Sequence, residues 1–96
     1  MNKYEAMFII KPDVTEEEKK TILTQLNDII VKNKGAVTEA AVWAERRKLT
    51  FPIKKYQEGI YYLMIFDAPP DSITNIKDLY RVNESVLRVL ITRIEA

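Results

Sequence analysis

Gly59–Asp67, GIYYLMIFD, carries strong strand formers at almost every position. At a period of two, Ile60, Tyr62, Met64 and Phe66 share one face, and Tyr61, Leu63 and Ile65 share the other. Both faces of this strand are therefore apolar. Upstream, Lys54 to Glu58 reads as a connecting loop and Phe51-Pro52-Ile53 as extended chain. Ala36 to about Leu49 is a longer, less apolar strand, bent or bulged near Glu45. Thr15 to about Lys34 has helical spacing, with Ile22, Leu23, Leu26, Ile29 and Ile30 on one stripe. Thr15 and Glu18 have the spacing of a capping box. Glu16 and Glu17 suit the positive helix start, and Lys32 and Lys34 suit its end. Gly35 suits a left-handed stop. Tyr4 to Ile10 is the first strand, with Tyr4, Ala6, Phe8 and Ile10 on one face, and Lys11-Pro12-Asp13 ends it. Downstream, Pro69 and Pro70 open a helix that Asp71 or Ser72 caps and that runs to about Arg81. Ile73, Ile76, Leu79 and Tyr80 lie on its inner side, and Ser85 to Ile94 is the final strand.

The order is strand, helix, strand, strand, helix, strand. With right-handed crossovers it gives an α+β, ferredoxin-like βαββαβ fold: a four-stranded antiparallel sheet with two helices on one face. At 96 residues the chain forms one domain over 1–96. Apolar residues at 47% and charged residues at 30% are a globular composition. The absence of cysteine excludes a disulfide framework and a thiolate metal site, and the absence of histidine removes the usual general base. No cofactor or metal is expected. The start, MNKYEAMFII, is neither a secretion signal nor a membrane span, which makes the cytoplasm the default location.

The fold makes a demand that the sequence does not meet. Helices cover one sheet face, so the other should be polar. Instead Met7 and Ile9 in the first strand, Tyr61, Leu63 and Ile65 in the third, and Leu90 between Arg88 and Thr92 in the last all point away from the helices. Such a contiguous apolar patch marks a protein-docking surface.

Net charge is only +1, but its distribution is uneven. Glu45 to Lys55 holds Arg46, Arg47, Lys48, Lys54 and Lys55 against the single acid Glu45, whereas Asp13 to Glu18 holds four acids. Arginine grips phosphate bidentately and lysine supplies a point charge. Trp43 or Phe51 offers a ring to a base or to the core; an edge strand kept soluble by its charges is the plain alternative. Glu58-Gly59-Ile60-Tyr61-Tyr62-Leu63 is only faintly like the third-strand motif of the RNA-recognition module. It has Glu58 at the basic position and Ile60 at the first stacking position, so contact with phosphate and shape is favoured over base stacking. Two other classes compete. An enzyme on this fold lacks a visible nucleophile-and-base pair, and Ser72 and Ser85 read as cap and turn. A regulatory ligand-binding domain that dimerises through its sheet would use the apolar face but not the basic segment.

Arg46-Arg47-Lys48-Leu49-Thr50-Phe51-Pro52-Ile53-Lys54 resembles the segment of the bacterial small-subunit ribosomal protein six family in which a basic pair precedes Leu, a small residue, Tyr and Ile. The opening Tyr4-Glu5 with Lys11-Pro12, the helix end Tyr80-Arg81-Val82 and the strand Val86-Leu87-Arg88 are similar to the same family, so the likeness spans the chain. Ala44 or Glu45 stands where that family often has glycine, Phe51 replaces tyrosine, and Trp43 to Leu49 is one residue longer. The resemblance implies a non-enzymatic protein of the cytoplasmic ribosome. It would bind the central domain of small-subunit ribosomal RNA as a heterodimer with a small basic ribosomal protein, number eighteen, and act on no small-molecule substrate. Expected RNA contacts are Arg46, Arg47, Lys48, Lys54 and Lys55, with Lys3, Arg81 and Arg88 as lesser ones; Met7, Ile9, Tyr61, Leu63, Ile65 and Leu90 would meet the partner.

Overall fold

A computed structural model describes residues 1–94 of the chain, so the last two positions of the single domain expected over 1–96 lie outside the described residues. The elements run β1 (Asn2–Ile10), α1 (Glu16–Lys32), β2 (Ala36–Ile53), β3 (Tyr56–Ala68), a short 3-10 turn at Pro70–Ser72, α2 (Ile73–Arg81) and β4 (Val86–Ile94). The sheet order is β2-β3-β1-β4 and every pairing is antiparallel. This is the ferredoxin-like arrangement, with both helices on one side. No helix among the described residues is long and apolar enough to cross a membrane.

The alternation expected for the strands is observed. Tyr4, Ala6, Phe8 and Ile10 of β1 and Ile60, Tyr62, Met64 and Phe66 of β3 are buried under the helices. From α1 come Ile22, Leu26 and Ile30, and from α2 Ile76 and Tyr80. Phe8 lies at the centre, edge-on to Tyr80 at 4.8 Å and tilted against Tyr62 at 5.9 Å. The Tyr80 hydroxyl donates 2.7 Å to the Leu26 carbonyl, tying α2 to α1. On α2, Leu79 was expected inward with Ile76 and Tyr80 but is exposed, because nine residues offer the core one narrow stripe.

Local chemistry explains the helix ends. The Thr15 hydroxyl accepts from the Glu18 N–H, and the Glu18 carboxylate accepts from the Thr15 N–H, completing the capping box. At the other end the Gly35 N–H bonds the Ile30 carbonyl and the Lys34 N–H bonds the Val31 carbonyl. That is a Schellman stop, and its left-handed residue is Lys34 (φ 67°), not Gly35. Gly35 is needed for space: a Cβ there would lie 2.6 Å from the Asp67 carbonyl oxygen and 2.8 Å from Ile30 Cγ2. Ser72 occupies the N-cap position of α2 but makes no side-chain cap hydrogen bond; its hydroxyl donates 2.7 Å to the Pro69 carbonyl within the 3-10 turn.

The pH response follows from composition and burial. Burial pushes the Tyr80 phenol well above its ordinary 10.0 and raises Tyr62 against the opposing hydrogen bond to Asn27. A raised native value means the unfolded chain loses these protons first. The stabilisation is thus complete below about pH 10 and lost as the pH climbs toward the native values. With no histidine in the chain, the urea midpoint should stay level from about pH 6 to 9 and fall above about 10. A drop of the midpoint between pH 6 and 8 would contradict this.

Candidate docking face and nucleic-acid interface

Because opposed residues of antiparallel strands share a face, the register gives the uncovered side row by row. One row reads Glu39, Ile65, Glu5 and Thr92 across the sheet, the next Ala41, Leu63, Met7 and Leu90. The third reads Ala44, Tyr61, Ile9 and Arg88. Acids lie toward the Asn2 end, aliphatic side chains fill the middle, and aromatic and basic groups gather toward the Ile10 end. The six residues expected on this face, Met7, Ile9, Tyr61, Leu63, Ile65 and Leu90, are all on it. Five shield one another to half-burial, while Leu90 is 62% exposed. Gly59 lets this surface close: a Cβ there would stand 2.5 Å from Ile9 Cγ2.

The basic residues extend the face. The chain stays extended through Phe51-Pro52-Ile53 as expected, but the loop expected from Lys54 to Glu58 is instead the tip of one long hairpin. β2 continues through Phe51-Pro52-Ile53 to a two-residue turn, Lys54-Lys55, and β3 begins at Tyr56. Both turn residues have positive φ, 49° and 80°, matching the right-handed strand twist as a type I′ turn does. β1 ends opposite Ile60, so the arm from Leu49 to Gly59 projects past it. Lys54, Lys55 and the 78% exposed Phe51 are carried at its tip.

The expected bulge near Glu45 is present. Ala44 opposes Tyr61 and Arg47 opposes Gly59, so Glu45 and Arg46 together stand against Ile60. The bulge separates the two arginines. Arg47 lies over the rings of Trp43 and Tyr61, 5.2 and 5.5 Å from their centroids, and Trp43 is 59% exposed. Among the described residues no ion pair engages Arg47, whereas Arg46 pairs with Glu58 at 3.2 Å. Lys48 also stands opposite Glu58. The eight basic candidates do not form one cluster. Arg88 shares the outer face opposite Ile9. Arg81 sits at the end of α2, on the helix layer. Lys3 faces Asp67, eight positions along β3 from Gly59, or about 26 Å at 3.3 Å per residue.

One residue of the site is absent from the sequence reading. Lys19, on α1, is buried and reaches Glu45 in the bulge with contacts of 2.9 and 3.1 Å to its two oxygens. The hydrogen bond to Glu45 raises the Lys19 ammonium above its ordinary 10.5, against desolvation. The available signal was periodicity: Lys19, Ile22, Leu26 and Ile30 fall on one helical stripe, and a lysine on a buried stripe calls for a carboxylate.

The profile of the family described as Ribosomal protein S6 matches residues 3–93. The small ribosomal subunit protein bS6 of Caldanaerobacter subterraneus subsp. tengcongensis is 40% identical over 93 residues, covering 97% of either chain. That of Campylobacter lari is 40% identical over 95 residues, covering 99% of this chain and 76% of the relative. Among solved structures, the crystal structure of 30S ribosomal protein S6 from Thermotoga maritima superposes with a TM-score of 0.88 at 31% identity, covering 97% of this chain and 87% of the other.

Proposed function

The chain belongs to the bacterial ribosomal protein S6 family, structural components of the small subunit of the cytoplasmic ribosome and not enzymes, and we propose that it binds RNA as half of a composite. Its outer sheet face docks a small basic ribosomal protein, number eighteen. The pair then binds the central domain of small-subunit ribosomal RNA. The observation that carries this reading is the layout of one continuous face, with the aliphatic rows around Leu63 and Met7 bordered directly by Tyr61, Trp43, Arg47 and Arg88. Docking hides the aliphatic rows. It also adds the positive charge that a chain of net charge +1 lacks. The arginines at the border and the lysines of the hairpin tip then meet phosphate.

The test is a binding titration of the protein pair against a central-domain RNA fragment over a range of salt concentrations. Arg46→Ala with Arg47→Ala should weaken binding and flatten the dependence of log K on log salt by between one and two units, at about 0.9 per lost phosphate contact. Of the single changes, Arg47→Ala should cost more, since Arg46 is already engaged by Glu58. A slope identical to the parent's would remove these arginines from the interface.

A further inference from the structure

Glu45 is the only acid among the residues from 45 to 55, which carry five positive charges. It immediately precedes Arg46 and Arg47, yet its carboxylate is held by neither. The Lys19 ammonium takes both of its oxygens, at 2.9 and 3.1 Å, and also meets Glu16 at 3.3 Å. The Lys19 side chain is 11% exposed and the Glu45 side chain 66%, so the cation is packed between helix and strand and the acid is the surface partner that reaches it. An ion pair with one partner this exposed adds little to the stability of a fold. Its larger effect is on where the charge sits.

We propose that Lys19 is a positioning residue for RNA binding: by clasping Glu45 in the β2 bulge, it keeps the one carboxylate of the basic segment from joining Glu58 at the Arg46 guanidinium, so that phosphate competes there with one acid and not with two. This rests on the reading that the segment meets RNA. Freed, the carboxylate stands beside Arg46, with which it shares the bulge against Ile60, and any hold it takes on that guanidinium is at the phosphates' expense. A unit-charge contact at about 4 Å in water corresponds to about a fivefold change in affinity.

The experiment uses the full chain with its small basic partner and the central-domain RNA fragment, with thermal melts of each variant. Lys19→Met should bind about fivefold more weakly. Adding Glu45→Gln to it should restore parent affinity, because the second competing carboxylate is gone. Glu45→Gln alone should bind at least as tightly as the parent, and Lys19→Arg, which keeps the clasp, should match it. Lys20→Met removes the same charge from an exposed neighbouring position and should have a smaller effect than Lys19→Met. If Lys19→Met unfolds the chain, Lys19→Gln provides the same comparison. Parent-like binding by a folded Lys19→Met overturns the proposal. So does a double variant as weak as Lys19→Met, or a Lys20→Met equal to it. An unaltered titration for Arg46→Ala with Arg47→Ala would instead remove the RNA reading itself.

Discussion

Leu63→Asp is expected to leave the fold standing and to lower affinity for the proposed basic ribosomal partner more than a hundredfold. Leu63 is half-buried on the outer face, between Ala41 of β2 and Met7 of β1. Its side chain contributes nothing to the core beneath the helices. In the free protein an aspartate there remains hydrated, and its poor strand propensity costs about 1 kcal/mol, small against the roughly 5–15 kcal/mol of a typical domain. In the docked pair the same carboxylate is stripped of water in a row whose other members on this chain, Ala41, Met7 and Leu90, offer it no partner. Burying an unpaired charge costs several kcal/mol, and each 1.4 kcal/mol is tenfold in affinity. Circular dichroism should show a parent-like spectrum, while calorimetry against the partner should show no heat of association. Ordinary pairing by a folded Leu63→Asp chain would move the docking surface elsewhere on the molecule.

Element order and facing were legible because their signals are periodic. The helical stripe on α1 and the alternation in β1 and β3 leave little freedom once the order of elements is read. The apolar outer face was legible by subtraction, from residues left over after the helix-covered face was filled. Features set by single contacts were not. Gly35 looked like a left-handed stop, but the stop falls on Lys34, and what requires glycine at 35 is the Asp67 carbonyl, which leaves no room for a Cβ. That contact joins positions far apart in sequence. The Lys54-Lys55 turn was hidden for a different reason. Type I′ turns are read from Asn and Gly, and two lysines at positive φ carry no such mark. The Lys19–Glu45 contact spans helix and bulge, so Glu45 read only as a diluting charge in a basic run.

Phe8→Ala, by contrast, should severely destabilise the fold that Leu63→Asp spares, although the two positions lie on adjacent strands of the same sheet. Phe8 opposes Tyr62, the immediate neighbour of Leu63, but points to the other face. It is fully buried, at 0% exposure, and is packed by Tyr62 and Tyr80. Truncating a buried phenylalanine costs about 3–5 kcal/mol through lost transfer energy and the cavity left behind. The edge-on contact with Tyr80 adds about 0.5–1.5 kcal/mol of aromatic pairing. Relaxation around the gap is limited, because the Tyr80 hydroxyl is tied to the Leu26 carbonyl and the ring cannot follow. In a domain of this size the loss approaches the whole margin of stability. The urea midpoint should fall by about 2 M or more, given slopes of about 1–3 kcal/mol per molar. Partner and RNA binding should then fail together at 37 °C, and both should return on cooling or in a stabilising osmolyte. A midpoint shift below about 0.5 M would mean that the helices repack over the gap, and that the rigidity assigned here to the tyrosine tie is wrong.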